Sequence, residues 1–361
     1  MSIGNPLRKE LVLWSFADAG DAREIESGCE RQTLDFEAEM EMAGHVDRSE
    51  LRADYTDRRD RYRRVPLCNG LPVTYNAVVE ELDHLLLGSC SFTAEGWEKS
   101  FYPPGLKKAG YLGFYAEQFN SVEVDATFYR IPSEKTVRGW YEQTPENFVF
   151  ACKVPQSITH ESCLIDCDEQ LHAFVNVMSG LQQKLGPMLF QFPYFNKKVF
   201  ARPAEFLQRL RAFQPKLPSE FRFAVEIRNK AWVRPELLDL LRKHKVAFTL
   251  IDHPWMSRPS ELMRHGDIVT ADFAYVRLLG DRYAIEELTK TWDKTVVDRH
   301  RELMEWSGVV DQLLARDLKV YTYVNNHFAG HSPETMRQFV EMLRQRQKQR
   351  VRRDGDSAEP F

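Results

Sequence analysis

The sequence lacks any apolar run approaching the roughly 20 residues that a membrane-spanning helix needs. Its opening stretch, Met1 to Phe16, has only a short apolar run at Leu11–Phe16 and no small-residue cleavage pattern, so it does not read as a secretory signal. None of the six cysteines (Cys29, Cys68, Cys90, Cys152, Cys163, Cys167) belongs to a C-x-x-C pair. The spacing Cys163-x-x-x-Cys167 falls short of the four ligands of a structural zinc site, and the thiols read as structural or incidental in a reducing cytoplasm. Charge of one sign is also scarce. With 49 Lys and Arg against 53 Asp and Glu, the net charge is −4, which excludes a strongly basic nucleic-acid coat and a highly acidic solvating protein. No internal repeat appears, no Gly-rich dinucleotide fingerprint follows the first strand-like run, and neither H-x-H nor H-E-x-x-H occurs.

What is present is apolar and aromatic. Over 361 residues the chain is 43% hydrophobic and 12% aromatic, enough for one large α/β barrel or two ordinary domains and too much for a disordered chain. Composition shifts near residue 82. Before it lie an acidic stretch from Asp18 to Glu50, a short helical candidate at Glu37–Met42, and the cluster Arg58, Arg59, Arg61, Arg63 and Arg64. Residues 1–81 are therefore expected as an extension outside the barrel, partly disordered or loosely docked, 82–347 as the folded domain, and 348–361 as a disordered tail. The arginine-rich ends, Arg58–Arg64 and Arg344–Arg353, fit solvated faces or nucleic-acid contact.

Between Leu82 and Gln347 short apolar runs alternate with amphipathic stretches. The strand candidates are Leu85–Ser89, Ser121–Asp125, Phe148–Val154, Met188–Phe192, Phe221–Ile227, Ala247–Asp252, Phe273–Leu278 and Val320–Asn325. Helical patterns cover Tyr111–Gln118, Ser133–Gln143, Asp168–Leu185, Ala204–Gln214, Pro235–Lys245 and Val297–Ala315, with a last one from Pro333 and a short turn around Ser260–Met263. Alternation of this kind implies parallel strands joined by crossovers, and eight units over about 250 residues predict a (β/α)8 TIM-type barrel of the α/β class.

Strand parity then selects what faces the axis. In Ser121-Val122-Glu123-Val124-Asp125 the valines take the helix side and Glu123 faces in; Glu226 and Arg228 do the same on the fifth strand. Lys153 shares a face with Ala151, Gln191 with Leu189, Arg277 with Tyr275, and Asn325 with Tyr321 and Tyr323. Either Asp252 or His253 must point to the axis. These groups stand at the C-terminal ends of their strands, where barrel enzymes place their chemistry. They are expected to pair, Lys153, Arg228 and Arg277 against Glu123, Glu226 and Asp252.

The run Phe119-Asn120-Ser121-Val122-Glu123-Val124-Asp125-Ala126-Thr127-Phe128-Tyr129-Arg130 resembles the hallmark of the YecE-like family, domain of unknown function 72. Further matching motifs are Phe101-Tyr102-Pro103, Lys153-Val154-Pro155 with Thr159-His160, Gln191-Phe192-Pro193, Val225-Glu226-Ile227-Arg228 with Trp232, Tyr275-Val276-Arg277, and Tyr323-Val324-Asn325-Asn326. The resemblance covers roughly Leu85 to Arg346 and implies a TIM-type barrel, without supplying a reaction. Two positions depart from the pattern: Gly88-Ser89-Cys90-Ser91-Phe92 ends in Phe where the family has Trp, and Leu278-Leu279-Gly280 stands where the family often has Leu-His-Gly.

Three chemistries follow. Glu123 and Glu226, with Lys153, are candidates for acid–base work on a small polar or anionic, sugar-like or phosphorylated substrate. Substrate contacts are expected from Gln191, Arg228, Asp252, Arg277, Tyr323, Asn325, Asn326, Trp232, Phe128 and Tyr129. The mouth aromatics are extended by Tyr194, Trp255, Tyr283 and Phe328. Anion binding is expected at Gly330, His331 and Ser332, where Ser332 suits an N-cap and Pro333 the first helical position. A divalent metal at Glu123, Glu226, Asp252, His253 and His327 is opposed by the three inward cations, so no cofactor is expected. The competing functions are a nucleic-acid-binding or phosphodiester-processing protein and a non-catalytic scaffold.

Overall fold

The structure, a computed structural model, describes Leu82, residues 84–262 and residues 266–356, with side chains as far as Arg350. The extension expected over 1–81, its helix at Glu37–Met42, the cluster Arg58–Arg64 and residues 357–361 lie outside the described residues. Runs rich in Val, Phe, Leu and Tyr suit a pleated, buried surface. They form β1 (Leu85–Ser89), β2 (Ser121–Val124), β3 (Val149–Lys153), β4 (Leu185–Gln191), β5 (Phe223–Glu226), β6 (Ala247–Asp252), β7 (Phe273–Leu278) and β8 (Lys319–Val324). All pair in parallel in the spatial order β1-β8-β7-β6-β5-β4-β3-β2, a nearly closed barrel.

Parallel neighbours need crossovers. These are α1 (Tyr111–Gln118), α2 (Glu134–Glu142), α3 (Asp168–Met178), α4 (Pro203–Phe213), α5 (Pro235–Lys243), α6 (Arg282–Leu288) and α7 (His300–Leu314), and α8 (Ser332–Asp356) follows the last strand. Between β6 and β7 the described residues hold one helical turn, Pro259–Leu262. The helix expected over Asp168–Leu185 is α3 plus a 3-10 stretch, Ser179–Lys184, because β4 starts at Leu185 and the chain must turn without a loop; Gln182 takes φ 52° there. The tail expected from residue 348 instead continues α8. Gln345–Arg353 has no Gly or Pro and consists mostly of good helix formers, and Arg346 Nε donates to Ser307 Oγ of α7 (2.9 Å).

Between β1 and β2 the barrel is stitched by side chains. Asn120 Oδ1 accepts from the Leu87 amide (2.8 Å) and its Nδ2 donates to the Leu85 carbonyl (2.8 Å), imitating a neighbouring strand. The Tyr115 hydroxyl accepts from the Ser89 amide (2.7 Å). Gly88 permits the approach, since a Cβ there would lie 1.9 Å from the Ser121 carbonyl oxygen.

In-register parallel partners point to one side of the sheet, so the ladder fixes the interior. Glu123 pairs with Ala151, Lys153 with Leu189, Gln191 with Glu226, and Arg277 with Tyr323. Bulky Tyr275 and Tyr323 are accommodated by Gly88, Ala151 and Ala224 at inward positions elsewhere. Tyr323 and Ser121 share a hydrogen bond (2.7 Å). Above this tyrosine layer the interior becomes ionic.

Candidate functional site

The first ionic layer is centred on Arg277 of β7. Its Nη1 donates to Glu226 Oε2 (2.6 Å), and its Nη2 and Nε donate to Glu123 Oε1 (2.5 and 3.1 Å). Tyr275, two residues earlier on the same face, donates to the other Glu123 oxygen (2.6 Å). Arg228 Nε donates to Glu226 Oε1 (3.0 Å). Both glutamates are 0% exposed and Arg277 is 2% exposed. Burial alone would raise the Glu226 carboxyl, but Arg277 and Arg228 hold it at about 2. Burial opposes a charged Arg277, yet Glu123 and Glu226 push its pKa above the ordinary arginine value. The two carboxylates expected to flank a substrate thus flank a guanidinium. The layer is a buried charge network in which both oxygens of each glutamate accept charge-assisted or hydroxyl hydrogen bonds.

The second layer stands one step nearer the mouth. Asp125, just past β2, has Oδ1 at 3.7 Å from Arg277 Nη2 and no hydrogen-bond partner for that oxygen. Burial raises its carboxyl to about 6, Glu123 adding to the rise and Lys153 and Arg277 restraining it. Lys153 at the end of β3 is 7% exposed, and its Nζ lies 3.7 Å from the centroid of the Phe128 ring. Among the described residues, no carboxylate stands within ion-pair distance of that ammonium and no acceptor takes its protons. The Thr127 hydroxyl fixes the backbone here by donating to the Lys153 carbonyl (2.7 Å). His160 packs edge-on to Phe128 (4.9 Å between centroids); burial, together with Lys153 and Arg228, lowers its imidazole well below the usual range. Tyr129 adjoins Phe128 (5.3 Å).

Other expected site residues lie elsewhere. Asp252 pairs in register with Leu278, not with Arg277, so it faces the helices. There it accepts from Arg299 Nη2 (2.8 Å) and Trp306 Nε1 (2.7 Å), fastening β6 to α7 and taking no part in the pairing expected among the inward charges. Tyr323 is sealed in the tyrosine layer. Gln191 is 2% exposed and donates to the Phe192 carbonyl (2.9 Å). Asn325 Oδ1 accepts from the His327 amide (2.9 Å) and meets its Nδ1 (2.7 Å), and His327 Nε2 meets Glu286 (2.9 Å). Trp232 stacks on Phe195 (5.9 Å) and against Phe206, an aromatic cluster outside the barrel axis. Phe328 is buried under Arg299.

The loop expected to bind an anion is already capped. Helix α8 starts at Ser332, so His331 occupies the N-cap: its Nδ1 accepts the Glu334 amide (3.3 Å), while Asn326 Oδ1 accepts the Ser332 amide (2.9 Å). Pro333 has no amide to offer, and Gly330, at φ 108°, packs closely on the Lys294 carbonyl. Two of the amides an anion would use, those of Ser332 and Glu334, are thus taken by side chains, while the buried Ser332 hydroxyl has no hydrogen-bond partner among the described residues.

Asp125 and His160 were not singled out as site residues, although both stand in motifs quoted above. Asp125 ends a strand whose alternation puts Glu123 and Asp125 on one face, and that was the available signal. Among the described residues one trio could hold a metal, Cys90, Glu123 and Asp125, whose ligand atoms lie within 4.8 Å of one another. Arg277 already supplies positive charge there, with Nη2 on Cys90 Sγ (3.9 Å) and on Glu123. Burial and Glu123 keep the Cys90 thiol protonated by raising its pKa well above normal. A divalent ion would have to displace a guanidinium, so the trio does not fit one. Among the described residues no helix is long and apolar enough to cross a membrane.

Comparison with known proteins adds the family. The profile of "Protein of unknown function DUF72" matches residues 86–359. The UPF0759 protein YecE of Escherichia coli K12 is 37% identical over 115 residues, a match that spans 32% of this chain and only 40% of that protein. The UPF0759 protein YunF of Bacillus subtilis is 26% identical over 269 residues, covering 69% of this chain and 92% of YunF. Among solved structures, a DUF72 family protein of Thermotoga maritima superposes with a TM-score of 0.57 at 26% identity, over 73% of this chain and 99% of that one. A DUF72 family protein of Enterococcus faecalis gives 0.56 at 23% identity, over 72% and 95%.

Proposed function

The chain belongs to the DUF72 family, whose solved members share its TIM-like barrel, and on that premise we propose that it is an enzyme performing acid–base chemistry on a small anionic molecule held at the C-terminal mouth. Lys153 carries the proposal. Among the described residues its ammonium has no carboxylate within ion-pair distance, only the longer-range field of Asp125; a buried ammonium so placed costs several kcal/mol, and its contact with Phe128 offsets only about 0.5–2 kcal/mol of that. A phosphate or carboxylate entering the mouth supplies the missing charge. Arg228, two residues past the end of β5, adds a second positive charge to the same region.

The roles divide by depth. Glu226 at about 2 stays ionised and is no proton shuttle; with Glu123 and Arg277 it forms a rigid floor. Asp125 at about 6 gives and takes a proton near neutral pH, as a general acid–base must. His160, packed on Phe128, is held neutral and has a ring nitrogen on the Thr159 hydroxyl (2.8 Å).

The test is an NMR panel of phosphorylated and carboxylated small molecules incubated with the full chain in D2O, which reports both turnover and C–H exchange. At least one compound is expected to react or wash in deuterium, with a loss of about 10²–10⁴-fold in Asp125→Asn. A panel in which nothing reacts, and in which nothing raises the melting temperature, refutes the proposal.

A further inference from the structure

Two lysines are buried among the described residues, and they are held differently. Lys184, 3% exposed at the end of the 3-10 stretch before β4, donates to the carbonyls of Tyr141 (2.6 Å) and Thr144 (2.8 Å) and to the Thr144 hydroxyl (3.2 Å). Each of its three N–H groups has an acceptor, which is how a structural lysine is satisfied. Lys153, 7% exposed, has no such acceptor among the described residues; its Nζ rests over the Phe128 ring at 3.7 Å. The backbone around it is pinned, because the Thr127 hydroxyl sits between the carbonyls of Val124 (2.8 Å) and Lys153 (2.7 Å). The carboxyl of Asp125, whose Oδ1 has no hydrogen-bond partner, lies beyond ion-pair distance but within the electrostatic reach of that ammonium. Its side chain keeps 15% of its exposure, whereas those of Glu123 and Glu226 keep none. A buried amine free of acceptors, beside a carboxyl free to carry its proton, is what a nucleophilic lysine needs.

We infer that Lys153 is a nucleophile that condenses with the carbonyl of a 2-oxo acid to form an imine, with Asp125 as the proton carrier. This rests on the anion-binding mouth proposed above and states which anion it takes. The carboxylate of the oxo acid pairs with the ammonium on arrival. The Asp125 carboxylate takes one proton from the ammonium, the freed nitrogen bonds to the carbonyl carbon, and a proton passes from nitrogen to the former carbonyl oxygen. Asp125 returns its proton to that hydroxyl as the C–O bond breaks, and water leaves. The nitrogen keeps one hydrogen and the positive charge: ammonium and ketone have become iminium and water, and Asp125 is ionised again. A carboxyl raised to about 6 makes both transfers near neutral pH. Because its carboxylate is attached to the reacting carbon, a 2-oxo acid brings its own counter-ion to the iminium, whereas a keto-phosphate holds its charge several bonds away. The iminium also acidifies the C–H bonds of the neighbouring carbon, which is the exchange that the D2O incubation reads.

Reductive trapping of the full chain, read by peptide mass spectrometry, tests this. Pyruvate and cyanoborohydride, which delivers hydride to an iminium carbon, are incubated with wild type, Lys153→Arg and Asp125→Asn. Lactate, which lacks the carbonyl, and dihydroxyacetone phosphate serve as comparison probes. Pyruvate is expected to be fixed on Lys153 at least about 10²-fold faster than on any exposed lysine, and to lose about that factor in Asp125→Asn. Lactate should leave no adduct, and Lys153→Arg, which keeps the charge, should lose the adduct while lactate still raises its melting temperature. The wild-type adduct is read without any substitution, so a variant that fails to fold does not remove the test. No adduct on Lys153, or labelling no faster than at exposed lysines, overturns the imine. If lactate or phosphate still raises the wild-type melting temperature, the anion-binding mouth survives that result; if neither does, the mouth fails with it. Faster trapping of dihydroxyacetone phosphate than of pyruvate overturns the 2-oxo acid assignment.

Discussion

Arg277 is gripped by two carboxylates, and Lys153, one layer above, by none among the described residues. Removing one partner from a buried, hydrogen-bonded ion network leaves an uncompensated charge and costs about 3–5 kcal/mol. Glu226→Gln is therefore expected to lower unfolding free energy by that order, measured by urea denaturation; an unchanged midpoint would mean that Arg277 finds its charge balance elsewhere. The pH dependence has two arms. Asp125 is raised from 3.8 to about 6, so its contribution is fully present below 3.8 and is lost as pH rises through 6. Glu226 is lowered from 4.5 to about 2, so its contribution is present above 4.5 and is lost as pH falls toward 2. Asp125→Asn should flatten the upper arm alone in melting temperatures recorded across that range. Alternation along single strands was enough to turn Glu123, Glu226 and Arg277 inward. Height along the axis was not readable from it, so Asp125 went unselected, and among the described residues Lys153 stays outside the ion pairs expected of the inward charges.

Among the elements, the β1–β2 seam has side chains where the other strand pairs have ladder bonds. Asn120 supplies both an acceptor and a donor to β1, and Asn120→Ala leaves the Leu87 amide and Leu85 carbonyl unpaired at a cost of about 1–3 kcal/mol. Hydrogen exchange should show the Leu87 amide opening faster in that variant than the amides of β6; equal protection would contradict a seam held by Asn120. The eight strands and most crossovers were legible because apolar periodicity is local. Asp252 was misplaced for the opposite reason: its partners Arg299 and Trp306 arrive from a helix some fifty residues later in the chain. The start of α8 shows the same limit. Ser332-Pro333 has the composition of a cap, but Asn326 captures the Ser332 amide and shifts the cap to His331.

Taken as a whole, the chain is slightly acidic at −4, yet the buried Lys153 ammonium faces only a carboxyl, Asp125, that burial raises to about 6. A molecule optimised for stability alone would replace an unpaired, buried ammonium with an apolar side chain, so keeping it points to a ligand that completes it. The most direct measurement is the melting temperature of the wild-type chain and Lys153→Met, each with and without millimolar phosphate at constant ionic strength. The account predicts that ligand-free Lys153→Met melts higher than wild type, that phosphate raises the wild-type value by linkage, and that it leaves the variant unmoved. A variant that melts lower than wild type and still responds to phosphate would contradict it.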